Sequence, residues 1–192
     1  MIESLDDAWR WYESVKKLVG MMDRVSKRYW SEEVGDKTLK ETLHRDDKFR
    51  EIEAQEIQDH ARRVLEDLDD LAVLLLFSVF EADVRSRALE ELERELATPP
   101  RHPMLEKAFE AARDAIEQGS FGRLTDAYGA SHPNDREHVN QVRRFRNWVA
   151  HGRRGAPAAN TDPDAAFERL RRFLEILDTD GPPPPLVAED SV

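Results

Sequence analysis

The chain has 192 residues, 40% of them hydrophobic and 36% charged, with a formal net charge of −11 at pH 7. That length suffices for one domain with a sizeable core, while the acidity argues against sequence-independent binding of duplex DNA and leaves room only for a local basic groove. Cysteine is absent and no long uncharged apolar run appears, so a disulfide framework, a thiolate metal site and a membrane span are not expected, and a cytoplasmic protein is.

In chain order, residues from about Glu3 to Trp30 read as one amphipathic helix. Leu5, Ala8, Trp9, Tyr12, Val15, Val19, Met22 and Tyr29 follow the three-to-four spacing. Its aromatic cluster, Trp9, Trp11 and Tyr12, suits a core or a dimer surface. Residues from about Ser31 to Asp47 form a polar connection with a short helix near Leu39–Leu43. Glu41-Thr-Leu-His44 has the E-x-x-H form of di-iron bundles, but those sites need a second such motif and further glutamates, and no second copy exists.

From about Lys48 to Leu96 the pattern is helical throughout, without Gly or Pro, as one very long helix or two with a bend. Within it, Leu71–Phe80 is apolar on all sides and is expected to be buried at the centre of a bundle. Thr98-Pro-Pro100 ends the segment. Glu81 follows the apolar run directly, and a carboxylate there needs a partner. Arg85, four residues on, is the local candidate.

Pro103 to Gln118 reads as a helix with Leu105, Phe109, Ala112 and Ile116 as its stripe and Gly119 as its stop. Ser120–Ala130 is a short connector of one or two helical turns. Asn134, with Glu137 three residues on, has the form of a capping box for the next helix. Asp162-Pro163 starts the last helix, whose stripe is Phe167, Leu170, Phe173, Leu174 and Leu177. Residues 1–180 are thus expected to form one all-α bundle of about five main helices, with residues 181–192 as a proline-rich, disordered tail.

Gln141–Arg154 stands apart from the rest of this acidic chain, with five arginines beside Asn147, Trp148 and His151. Val142, Phe145 and Val149 fall on one helix face. Asn140, Arg144, Asn147 and His151 fall on the other, with Arg143 beside them and Arg146 at the edge. Gly152 marks the helix end. It leaves His151 on the last turn, where the helix dipole favours a positive charge.

Arg146-Asn147-Trp-Val-Ala-His151 resembles the R-x(4–6)-H signature of HEPN domains, small all-helical proteins of prokaryotic toxin and defence systems and of some RNA-processing enzymes. An apolar helix ending in a Glu-containing stretch, as at Leu71–Arg87, extends the resemblance loosely. It implies a metal-independent endoribonuclease working as a homodimer, with two motif copies facing each other across a cleft. It further implies RNA (tRNA or mRNA) as substrate, no cofactor, and for a resting toxin an antitoxin or other regulatory protein. The implied site is Arg146, Asn147 and His151. Glu81 would hold Arg146 or orient His151, or else pair only with Arg85. Arg143, Arg144 and Arg153 would line the RNA path.

The residue types suit that chemistry. RNA carries its own nucleophile, the 2′-OH. A histidine can move protons near neutral pH, an arginine fork fits phosphate oxygens, and an asparagine can orient either without titrating. Arg146 and His151 lie five residues apart, about 140° around a regular helix, so a straight helix does not aim both at one atom. Either the last turn opens, or two chains share the site. Two further readings remain: a non-catalytic HEPN module that binds RNA, nucleotide or a protein partner, and a structural helical dimer. His44, His60, His102, His132 and His138 show no metal-ligand spacing.

Overall fold

The computed structural model describes residues 2–27, 41–42, 45, 54–95, 102–156 and 161–179, and among them all regular structure is helical. The main helices are α1 (Leu5–Val25), α2 (Ala54–Glu95), α3 (Pro103–Glu117), α4 (Phe121–Tyr128), α5 (Pro133–Ala150) and α6 (Pro163–Thr179). The fold is an all-α helical bundle. None of the described helices is long and apolar enough to cross a membrane.

The long central segment is one helix without a bend into two. α2 has 42 residues, an axis of about 63 Å at the usual rise. No Gly or Pro interrupts it, and i,i+3 and i,i+4 ion pairs such as Arg62–Asp59 and Arg87–Asp83 support its exposed sides. Every other helix packs against it. The core lies where α1, α2, α5 and α6 meet, with Phe77, Phe80, Phe173, Leu170, Val139 and Val142 at its centre. Phe121 of α4 closes one side, edge-on to both Phe77 and Phe80 at 5.5 and 5.8 Å between centroids. A smaller cluster of Tyr12, Leu68 and Ala72 joins α1 to the first half of α2.

The helix ends follow local chemistry. Ser4 caps α1 by accepting from the Asp7 N–H at 3.1 Å. Asp162 caps α6 by accepting from the Ala165 N–H at 2.7 Å, with Pro163 as first residue. Gly119 follows α3, and a Cβ there would lie 2.2 Å from the Ala115 carbonyl oxygen, so only glycine allows that turn.

Several expectations need correction. α5 begins at Pro133, so His132 and not Asn134 occupies the N-cap position. Proline lacks the N–H and already has the helical φ, which moves the start two residues earlier. Glu137 accepts instead from Arg144. The run Leu71–Phe80 is not buried all round: Leu71 is 51% exposed and Ser78 is exposed. The stripe of α3 lies at the periphery: Leu105 is 52% exposed, Phe109, Ala112 and Ile116 are half-buried, and no residue of α3 is buried, with its main packing on α2. In α1, Trp9 and Tyr12 point inward, while Trp11 is 40% exposed. The E-x-x-H stretch and the 181–192 tail lie outside the described residues, apart from Glu41 and Thr42.

Candidate functional site

Val139, Val142 and Phe145 bury the inner face of α5 against α2 and α6. This sets the rotation of the helix and turns Arg146, next in sequence, towards α2. The Arg146 guanidinium lies over the Phe77 ring at 5.3 Å. Its Nη1 donates to Asn147 Oδ1 at 3.1 Å, and its Nη2 is 3.6 Å from Glu81 Oε2. The other carboxylate oxygen of Glu81 accepts from Arg85 Nη2 at 2.8 Å and Nε at 3.2 Å. Glu81 therefore serves both partners, one oxygen each.

Arg85 is in turn tied to the α3–α4 connection. It donates to the carbonyls of Ile116 and Gly119 and lies over Phe121 at 5.6 Å. The side chains of Arg85, Glu81 and Arg146 are 19%, 22% and 30% exposed, so the charges are held at the edge of the core. The contacts to Asn147 and Glu81 use only part of the five-donor fork of Arg146, which leaves donors that a phosphate could take.

α5 ends in a glycine-terminated cap. His151 is the C-cap residue, and its N–H donates to the Asn147 carbonyl at 3.0 Å. The N–H groups of Gly152 and Arg153 donate to the carbonyls of Val149 and Trp148, both at 2.9 Å, the paired bonds of a Schellman motif. Gly152 has φ +77, the left-handed geometry that glycine adopts without a Cβ penalty. Trp148 Nε1 donates to the Gly155 carbonyl at 2.9 Å and folds the following loop back. The His151 side chain is exposed at this corner.

The structure thus brings Arg146, Asn147 and Glu81 together, and sets His151 apart at the helix end. The three arginines assigned to the RNA path each have a partner within the chain. Arg143 Nε donates to Asn140 Oδ1 at 3.1 Å. Arg144 pairs with Glu137. Arg153 reaches α2, with Nε 2.6 Å from Asp70 Oδ2 and Nη2 3.3 Å from Asp67 Oδ1. Tyr128 is half-buried and donates to Glu91 Oε2 at 2.6 Å; burial, first, and then the Glu91 carboxylate push its pKa upward.

Phe77 and Asp70 belong to the site's surroundings, although the motif did not point to them. With Glu81 they recur at i, i+7 and i+11 on one side of α2. That register, an aspartate in line with a core aromatic, was the available signal. Among the described residues no group of three or more His, Asp or Glu could hold a metal ion. A cleft of about 740 Å³ lies along the outer side of α1, lined by Arg10, Lys17 and Arg24 among others, away from this cluster.

What fold and site define together is an all-α bundle with an arginine, asparagine and glutamate cluster between its longest helix and a histidine-ended one. No protein-family model matches the chain, and no curated protein and no solved structure matches it.

Proposed function

We propose that the protein is a HEPN-type, metal-independent endoribonuclease that acts as a toxin or defence effector and cleaves RNA through attack by the 2′-OH. The observation that carries this reading is the setting of Arg146. It lies over Phe77, is oriented by Asn147 and Glu81, and stands five residues before a histidine exposed at the helix end. In this reading Arg146 stabilises charge on the reacting phosphate, Asn147 fixes the fork, and His151 moves protons.

On a regular helix Arg146 and His151 lie about 140° apart and are not aimed at a common point. The reading therefore takes a homodimer, in which each His151 works across the cleft. In this reading the second copy meets the side of α2 on which Leu71 and Ser78 are exposed. As a resting toxin it would also need an antitoxin or regulatory protein. The second reading, a non-catalytic module that binds RNA, nucleotide or a protein partner, is favoured by one observation: the contacts of Arg146 are to Asn147, Glu81 and Phe77, and His151 is not among them.

The test is cleavage of total RNA and purified tRNA in EDTA, wild type beside His151→Ala. Cleavage by wild type alone, leaving 2′,3′-cyclic phosphate ends, is expected. RNA binding without cleavage by either protein would favour the second reading. Equal cleavage by both would remove His151 from the site.

A further inference from the structure

Arg153 is one of the best-held side chains on the basic stretch, and it is held by α2. Asp70, 19% exposed, takes its Nε at 2.6 Å and also pairs with its Nη2; Asp67 stands 3.3 Å from the same Nη2. The residue is also the one described non-glycine with positive φ, at +56, a conformation that costs a β-carbon residue energy and is filled more readily by Gly or Asn. Arg153 occupies the last position of the Schellman turn, its N–H bonded to the Trp148 carbonyl. The turn is thus pinned at both ends: by backbone bonds to α5, and by a forked cation to α2. His151 lies between them, two residues from the pin.

We infer that the Asp70–Arg153 ion pair, with Asp67 at its edge, is a latch that fixes the turn bearing His151 against α2, so that Arg153 is a positioning residue for His151 and not a contact to RNA. Asp70, Phe77 and Glu81 lie on one side of α2. The same helix that seats Arg146 through Phe77 and Glu81 therefore also sets where His151 is presented, two turns further along. A residue in direct contact with RNA would gain from a free guanidinium. This one is committed to a carboxylate of low exposure. The inference rests on the reading of His151 as the proton-transfer group.

The two roles give opposite results for Asp70→Asn. If Arg153 binds RNA, that change frees a cation and removes an anion, so RNA binds more tightly and cleavage is kept. If the pair is a latch, affinity for tRNA stays within about twofold while the single-turnover cleavage rate falls about ten- to a hundredfold, as expected when a reacting group is misplaced by an ångström or so. Arg153→Gln should give the same split, and the charge swap Asp70→Arg with Arg153→Asp should restore most of the rate. Tighter binding with the rate kept, or a swap that rescues nothing, overturns the latch.

A second measurement does not need activity. Amide hydrogen exchange at Gly152 and Arg153 should speed up about tenfold or more in Asp70→Asn while the α2 core amides keep their protection. Unchanged protection at both amides overturns the latch even if wild type cleaves no RNA. Absence of cleavage by wild type would instead count against the proposed function alone.

Discussion

Glu81 offers the sharpest test of the charge network, because it joins two arginines through its two oxygens. Glu81→Gln keeps the size and one acceptor but removes the charge. Two charge-assisted bonds from Arg85, at 2.8 and 3.2 Å, and a longer contact to Arg146, at 3.6 Å, are weakened together. Hydrogen bonds to charged groups contribute about 1.5–3 kcal/mol when well desolvated, and exposed pairs about 0–1. With all three side chains between 19% and 30% exposed, the expected loss is about 1–2 kcal/mol, or roughly 3–6 °C in Tm for a chain of this size. Urea denaturation followed by circular dichroism would measure it. Double-mutant cycles separate the partners: coupling of Glu81 to Arg85 should be about 1–1.5 kcal/mol, and to Arg146 about 0.5 kcal/mol, in keeping with the distances. Zero coupling to Arg146 would refute the role of Glu81 in seating the motif arginine and leave only the intrahelical pair.

Phe80→Ala should cost about 3–5 kcal/mol, since Phe80 is fully buried and sits edge-on to Phe121 and Phe173; a loss under about 1 kcal/mol in the same denaturation assay would mean that the packing at the centre differs. Stability should fall as pH rises above about 10, the ordinary tyrosine pKa. Burial and Glu91 raise the folded-state pKa of Tyr128, so the unfolded chain releases this proton first, and the stabilising contribution is lost through the window above its unfolded value. Tyr128→Phe should flatten that slope in urea midpoints between pH 8 and 11.5, and an unchanged slope would remove Tyr128 as its source.

Much of the fold was legible because its signals are local. The Asp162-Pro163 start of α6 and its Phe167, Leu170 and Phe173 stripe needed only capping chemistry and periodicity. The absence of Gly and Pro marked α2 as helical but left one helix or two bent ones open, and the structure makes it one from Ala54 to Glu95. What failed depended on neighbours. An amphipathic stripe implies a face that wants burial but not that the chain supplies the cover, and α3, with its exposed Met104 and Leu105, shows the difference. At α5, two local signals competed, a capping-box pattern at Asn134 and a proline at the first position, and the proline prevailed. The pairing of Glu81 with Arg85 was readable from the i+4 spacing and that with Arg146 from the resemblance; the more distant partners were not. Arg153 meets Asp70 across 83 positions, and Arg85 meets backbone carbonyls 31 and 34 positions away. No periodicity within one helix contains such pairs.

The acidity of the chain takes on a specific meaning at this site. Carboxylates face three of the five cations of the motif region: Glu137 at Arg144, Glu81 at Arg146, and Asp67 and Asp70 at Arg153. In the proposed nuclease, a phosphate must therefore compete with, or share, an existing anion at each of them. The competition is unequal. Glu137 is 52% exposed and its pair with Arg144 is a surface pair, worth at most about 1 kcal/mol, so Arg144 can change partners readily. Asp70, at 19%, holds Arg153 more firmly. Arg146 lies between these extremes, with part of its fork paired and donors left that a phosphate could take. Such an arrangement gives weak, salt-sensitive attraction to polyanions in general. It concentrates what strong binding there is on a phosphate that reaches Arg146 itself, which is where the proposed chemistry needs it.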